Sequence, residues 1–502
     1  MRKTLPPLIQ ALLDPARYPD PAGRVELIET HASWLLLAGD FAYKIKKPVI
    51  LPFLDYGTLD QRRLCCEAEL RLNRRFAPQL YLSVVPIVGS PQDPQIGGAG
   101  TAIEFAVRMH RFAEAGRLDH LCARGQLRWQ QVSDLATTVA AFHDGATIAA
   151  LPARFGEPAQ VLAPALENFD ELPALLPDAE EQRRLARLAT WTRGEFDRLA
   201  PRFAARKAAG YVRECHGDLH LGNLVLIDGR VTLFDCIEFS EDLRWIDVAS
   251  EIAFLYVDLL DQRQPGLACW LLNEWLARTG DHDAMQVLRF YAVYRALVRA
   301  KVAAIRARQA NADLEQAQDY LSLAERLTSP PAPRLIITHG VAGCGKSRAS
   351  RRLLLGDQAA ATLRLRSDVE RRRLFGIAAG THSDSPINGG IYAREASELT
   401  YQRLHELARE LLAAGWSVIV DAAFLQRYRR DAFRALAARV GVPFFIVAPQ
   451  ATPAQLRARV YRRLAKGHDA SEATLPVLEQ QLARIEALGP DERVYLFPHQ
   501  LN

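Results

Sequence analysis

The sequence predicts an α+β domain followed by an α/β domain, and three features of its pattern lead there. Residues 25–112 read as strands around one helix, residues 118–327 are mostly helical in spacing, and beyond residue 334 apolar strands alternate with helices. Between the last two stretches, residues 328–334 (Thr-Ser-Pro-Pro-Ala-Pro-Arg) set three prolines within four positions. Proline fixes its own backbone and restricts the residue before it, so this segment ends a helical run. The expected organisation is a first domain over 1–327, with a sheet lobe at 25–112 and a helical lobe at 113–327, a linker at 328–333, and a second domain at 334–502.

In chain order, Ser33–Ala38 and Phe41–Lys46 flank a Gly39-Asp40 turn, a hairpin signal. Asp60–Phe76 has helical spacing, and strands at Leu82–Val88 and Thr101–Met109 surround a loop rich in glycine and proline. A short strand-rich section at 211–235 interrupts the helices that follow. In the second domain the expected strands are Leu335–Thr338, Thr362–Leu365, Trp416–Val420, Phe444–Val447 and Val494–Phe497, and their alternation with helices argues for a parallel sheet.

The chain has 502 residues, 49% of them apolar and 24% charged. Its apolar runs fall short of the ~18 residues a membrane span needs. At the N-terminus Pro6, Pro7, Gln10 and Asp14 interrupt any signal-peptide core, which leads us to expect a cytoplasmic protein. Seven cysteines without CxxC spacing argue against a disulfide framework and against zinc. A net charge of +5 is too small for its length to indicate nucleic acid. Only eight of the 63 basic residues are lysine, yet Lys44, Lys46 and Lys47 crowd together and Lys346 ends a glycine-rich turn. Where arginine is the default cation, such lysines mark compact point charges, as phosphate sites require.

Gly340-Val-Ala-Gly343-Cys-Gly345-Lys346-Ser347 fits GxxxxGK[ST], follows the apolar strand Leu335–Thr338 and opens a helix. The glycines let backbone N–H groups converge on phosphate oxygens, Lys346 reaches the terminal phosphates and Ser347 can hold magnesium. Asp421 ends a strand, where it can bind magnesium. Asp368 and Arg371 share one helix face three residues apart, which suits a general base with a charge clamp for an acceptor hydroxyl. Arg457, Arg459, Arg462, Arg463 and Lys466 form a basic cluster able to fold over a transferring phosphoryl group. Over residues 334–502 the chain resembles the P-loop kinases of the adenylate kinase-like group, among them small-substrate kinases, polynucleotide kinases and zeta-toxin-like proteins. The resemblance implies Lys346 and Ser347 as nucleotide and magnesium ligands, Asp368 as acceptor base, Arg371 as substrate clamp and Arg463 as the lid arginine.

Residues 216–223 read His-Gly-Asp218-Leu-His220-Leu-Gly-Asn223, and Asp235 follows twelve residues later at a strand end. A loop aspartate that takes the acceptor proton, an asparagine five residues on that holds metal, and a strand-end aspartate that holds magnesium make a phosphotransfer constellation. His216 and His220 are expected to fix the loop by hydrogen bonds, and Asp247 to brace it. Residues 25–325 resemble the aminoglycoside phosphotransferase family, which has a protein-kinase-like bilobal fold. That resemblance implies a strand lysine paired with a helix glutamate. Lys44 and Lys46 point to one face of their strand; Lys44 is preferred, and Glu67 is preferred over Glu69. Residues 28–34 (Ile-Glu-Thr-His-Ala-Ser-Trp) depart from the pattern, since they hold no glycine where protein kinases have a glycine-rich loop. Thr30, His31 and Ser33 remain as candidate phosphate contacts.

The pairing of the two domains resembles proteins described as bifunctional aminoglycoside phosphotransferase/ATP-binding proteins. It implies ATP and Mg2+ as cofactors and nucleotide and a small hydroxylated molecule as partners, while the short apolar runs argue against a membrane and the low net charge against nucleic acid. Two other readings stay open: one domain regulates the other by binding nucleotide, or the second domain is a polynucleotide-end or zeta-toxin-like kinase.

Overall fold

In the computed structural model, which describes residues 5–51, 54–377, 390–466 and 474–497, the chain divides into two compact units. One contains the residues up to Leu127 together with Ala141–Ala163 and Ala200–Leu255; the other contains Arg128–Ala140, Pro164–Leu199 and the residues from Tyr256 on. In the first, α1 (Pro7–Ala11) precedes a meander of β1 (Val25–Glu29), β2 (Ser33–Ala38) and β3 (Phe41–Lys46). Gly39 closes the β2–β3 hairpin with φ +59°, and an added Cβ would lie 2.6 Å from the Pro21 carbonyl oxygen, so only glycine fits. A small ladder, β4 (Ile50–Leu51) with β5 (Leu54–Asp55), leads to helix α2 (Leu59–Asn73). Thr58 caps α2 by accepting from the Gln61 N–H, in a capping box with the Gln61 side chain.

Strands β6 (Tyr81–Ser90), β7 (Asp93–Ile96) and β8 (Ala102–His110) complete an antiparallel sheet of order β1-β2-β3-β8-β6-β7. The two-residue period of β3 sends Tyr43 and Ile45 to one face, where they meet Ile9, Leu12 and Tyr18. Ala42 goes to the other face and packs with Cys66 of α2. Lys44 and Lys46 share that second face, so the fold turns both lysines toward α2.

Helices α3 (Leu118–Ala123), α4 (Trp129–Gly145), α5 (Pro158–Leu175) and α6 (Ala179–Ala208) follow. After them come β9 (Val212–Glu214), the hairpin β10 (Leu224–Ile227) and β11 (Arg230–Leu233), then α7 (Glu241–Arg244), β12 (Trp245–Asp247) and α8 (Val248–Asp261). β9 pairs with β12, and Asp247 at its end receives two hydrogen bonds from the buried Arg206 guanidinium, at 2.8 and 2.9 Å.

The second unit holds α9 (Pro265–Thr279), α10 (Ala284–Ala310) and α11 (Glu315–Thr328), then β13 (Leu335–Thr338), α12 (Lys346–Leu355), β14 (Thr362–Arg366) and α13 (Ser367–Leu374). It continues through α14 (Arg394–Ala413), β15 (Ser417–Asp421), α15 (Arg427–Val440), β16 (Phe444–Val447), α16 (Pro453–Lys466), α17 (Leu475–Arg484) and α18 (Pro490–Arg493). The sheet is parallel throughout, in the order β14-β15-β13-β16. Every residue of β13 and β15 is buried, the signature of strands covered on both faces. The strand expected at Val494–Phe497 is not formed. The helical turn Pro490–Arg493 precedes it, and among the described residues the stretch makes a single parallel bridge, Leu496 to Ile446.

Helix α9 packs directly on this sheet. Asn273 donates to the Thr362 carbonyl at 2.9 Å and accepts from the Arg364 N–H at 2.5 Å, which satisfies the outer edge of β14. Gly266 lies so close to α12 that a Cβ would fall 2.0 Å from the Leu355 carbonyl oxygen. Trp416 donates its indole N–H to the Met285 carbonyl at 2.8 Å, and Arg289 donates to the carbonyls of Ala414 and Gly415 at 2.6 and 2.8 Å. The helices before the proline-rich segment therefore share a core with the parallel sheet after it. Among the described residues no helix is long and apolar enough to cross a membrane.

Candidate active sites

In the first unit Lys44 stands between two carboxylates. Its ammonium donates to Glu69 Oε1 at 2.8 Å and to Asp235 Oδ1 at 2.5 Å. Burial pulls against its charge, yet Asp235 and then Glu69 hold its pKa well above the ordinary lysine value. Lys46, fully buried, donates to Glu69 Oε2 at 2.7 Å, to the Tyr56 hydroxyl at 3.3 Å and to Glu238. Glu69 thus serves both lysines. Burial alone would raise its pKa, but the two ammonium groups hold its carboxyl down at about 2. Asp235 adopts φ +64°, a strained setting for a residue with a side chain, and its N–H donates to the Tyr81 hydroxyl at 2.9 Å. In this setting its carboxylate meets the Lys44 ammonium.

Asp218 lies on the loop between β9 and β10. Asn223 donates its amide to the Asp218 carbonyl at 3.0 Å and to Oδ2 at 3.2 Å, so the amide nitrogen is engaged and the oxygen is the atom a metal would meet. His220 Nε2 lies 3.4 Å from Asp218 Oδ2, while its Nδ1 accepts from the Gly222 N–H. His216 donates Nε2–H to the Phe234 carbonyl at 2.9 Å, next to Asp235. The loop is fastened from below by Glu251 of α8. One of its oxygens accepts the N–H groups of His216 and Gly217 at 2.6 and 2.8 Å, and the other meets His143 Nε2 at 2.9 Å. Burial opposes the charged form of Glu251, yet the His143 hydrogen bond keeps its pKa below the usual carboxylate range. With Cys215 these groups form a buried cluster whose ligand-type atoms lie within 4.8 Å of one another. The hydrogen bonds already assigned to both Glu251 oxygens make it a brace for the loop. At the β1–β2 tip Thr30 Oγ1 accepts from the Ser33 N–H at 3.0 Å and donates to its carbonyl, so that hydroxyl is engaged in the turn.

In the second unit Gly340, Gly343 and Gly345 take φ of +138°, +81° and +110°, and a Cβ on Gly340 would lie 2.7 Å from Cys344 Sγ. The loop delivers the chain to α12, whose N-terminus has no side-chain cap. Those orphan N–H groups with the helix dipole are a ready anion site. Lys346 donates to the Gly340 and Val341 carbonyls at 2.8 and 2.9 Å, and Ser347 is exposed beside it. Asp421 is buried and accepts from Ser350 Oγ at 2.9 Å, one turn along α12 from Ser347. Asp368 and Arg371 face each other across one helical turn, Nη1 to Oδ1 at 3.8 Å. Arg459 of α16 donates to the carbonyls of Gly343 and Cys344 at 3.2 and 3.4 Å.

Residues 63–291 match the model of the phosphotransferase enzyme family, and residues 335–488 match an AAA domain model. The chain is an ATP-dependent kinase that joins a domain of the phosphotransferase enzyme family to a second, P-loop domain. It belongs to one family with uncharacterized proteins of Mycobacterium tuberculosis and Mycobacterium bovis, each 30% identical over 478 residues and covered to 93% on both sides. Among solved structures, the kinase is similar to a choline kinase from Cryptosporidium parvum, with 12% identity, a TM-score of 0.41, and coverage of 64% of this chain and 94% of that one. It is also similar to the Mycobacterium tuberculosis APS kinase in complex with AMPPNP and APS, with 24% identity, a TM-score of 0.23, and coverage of 29% and 78%.

One expected residue of this kinase is corrected by its geometry. Glu67 is exposed, and the glutamate that meets the strand lysines is Glu69. The two are about 200° apart around a helix, so only one faces the sheet. The spacing of Arg62, Cys66, Glu69 and Asn73, all buried, is the signal for that face. The side chain of Arg463 and the stretch 467–473 lie outside the described residues. Two residues escaped sequence reasoning. Glu251 carries no motif, though its place one turn into an apolar helix marked it as a buried charge in need of partners. Arg459 was one arginine among several, and only the fold brings it to the P-loop.

Proposed function

We propose that this kinase has two ATP-dependent sites, each transferring a phosphoryl group to a hydroxyl of a small molecule in the cytoplasm. The first belongs to the domain spanning 1–327 and the second to the domain spanning 334–502. The observation that carries the first is Lys44 held between Glu69 and Asp235 on the same unit as Asp218 and Asn223. Asp235 and Asn223 would hold Mg2+, which with ATP supplies the phosphoryl donor and neutralises its developing charge. Lys44 then exchanges Asp235 for phosphate oxygens, and Glu69 keeps it aimed. Asp218 receives the proton of the acceptor hydroxyl, oriented by the Asn223 amide. At the second site the bare α12 N-terminus, Lys346 and Ser347 take the phosphates and metal with Asp421 behind them. Asp368 acts as base, with Arg371 clamping the acceptor.

The test uses the full chain. Asp218→Asn and Asp368→Asn should each lower one product-forming activity by roughly 10²–10⁴ and leave ATP binding nearly unchanged. Lys346→Ala should remove nucleotide binding at the P-loop only. If Asp218→Asn leaves every transfer from labelled ATP to a metabolite pool unaltered while Asp368→Asn stops them all, the first domain is a regulator. The reverse result assigns that role to the P-loop domain.

A further inference from the structure

Helix α2 carries Glu69, and a kinase whose lysine–glutamate pair must be assembled needs that helix held in place. Three guanidinium groups do so through one carboxylate outside the site. Glu214, at the end of β9 and four residues before Asp218, accepts from Arg71 of α2 at 3.1 Å, from Arg75 just past the end of α2 at 3.1 Å, and from Arg244 of α7 at 3.2 Å. Arg75 also donates to the Glu214 and Cys215 carbonyls at 2.6 and 3.2 Å, and Arg244 donates to the Ile237 carbonyl at 3.0 Å. A second tie lies one turn away. Asn73 is fully buried on α2, accepts from the N–H of Cys236 at 3.0 Å and donates to the Glu69 carbonyl at 2.8 Å. Helix α2 is thereby fastened to the Asp218 loop by Glu214 and to the residue after Asp235 by Asn73.

We propose that Glu214 is a positioning residue of the phosphotransferase site: it locks α2, and with it Glu69, in the setting that presents Lys44 to nucleotide. Where kinases are switched, a phosphate group added to the chain pairs with arginines and orders the site. In this chain the anion that gathers the arginines is encoded. Three cations around one buried carboxylate leave an excess of positive charge, so removal of Glu214 sets Arg71, Arg75 and Arg244 against one another and loosens α2 at the end nearest Glu69. The site needs no activating modification and stays assembled. This inference rests on the proposed role of Lys44.

The experiment measures Mg-AMPPNP binding by calorimetry on the full chain in a Lys346→Ala background, well below the melting midpoint. Glu214→Ala should weaken binding about 100-fold, the scale of a lost charged hydrogen-bond network. Formate should restore most of the affinity by entering between the guanidiniums, with no effect on the parent and none from chloride at equal ionic strength. Arg71→Ala, whose side chain is 57% exposed, is the gentle variant in case Glu214→Ala does not fold. It should weaken binding about 5-fold without moving the melting midpoint. Parent-like affinity in either folded variant overturns the proposal, as does a drop that formate leaves untouched. Lys44→Ala is the control: parent-like binding there would instead remove the nucleotide reading of this site, while its loss beside an unaffected Arg71→Ala would remove only the role of Glu214.

Discussion

Lys44 and Lys46 differ by one strand repeat, yet their surroundings give them separate tasks. The Lys44 side chain keeps 17% of its surface and reaches Asp235; that of Lys46 keeps none and is shut in with Glu69, Tyr56 and Glu238. Replacing Lys46 by methionine should cost about 3–5 kcal/mol of stability, because two buried carboxylates lose a partner. Replacing Lys44 should chiefly cost nucleotide affinity; urea unfolding and calorimetry separate the two. Glu69 also sets a pH window. Its folded pKa of about 2 lies below the ordinary value of 4.5, so its contribution is complete above 4.5 and is lost as pH falls toward 2. That contribution is on the order of 3 kcal/mol. Urea midpoints taken across this interval should fall steeply in the parent and less steeply in Glu69→Gln. An equal slope in both would show that other carboxylates govern acid unfolding.

At the scale of elements, β14 is an edge strand whose exposed hydrogen-bonding groups are met by the Asn273 side chain of α9. Asn273→Ala should destabilise the second unit by about 1–3 kcal/mol, chiefly the cost of the buried Arg364 N–H left without a partner, since the Thr362 carbonyl keeps the Cys269 thiol at 3.1 Å. A thermal unfolding curve that does not move would contradict this. Elements of this kind also show what a sequence discloses. The P-loop was legible because a local motif dictates its own geometry, and Asp368 with Arg371 because helical periodicity alone places them on one face. Glu67 was preferred over Glu69 because the rotation of α2 is decided by packing against the sheet across distant sequence, which periodicity alone does not reveal. The docking of α9 was hidden for the same reason. Its apolar face reads as any helix of a bundle, and nothing local says that the surface it covers lies some ninety residues downstream.

At the scale of the whole molecule, the proline-rich segment marks a change of architecture inside a shared core. A fragment of residues 330–502 should expose the surfaces met by α9 and α10, bind a hydrophobic dye and yield quickly to protease. A fragment beginning at residue 264 keeps Gly266, Asn273, Met285 and Arg289 and should melt cooperatively at a higher temperature. Equal behaviour of the two would show that these helices contribute nothing to the fold of the P-loop domain. Gly266 gives this arrangement a genetic meaning. It lies within the stretch matched to the phosphotransferase family, yet the atom a side chain would strike is the carbonyl of Leu355 on α12. A missense allele at that codon, mapped by position, would be assigned to the phosphotransferase domain while its damage falls on the P-loop domain. Complementation between two alleles of this gene would accordingly follow the shared core, not the boundary of the family match.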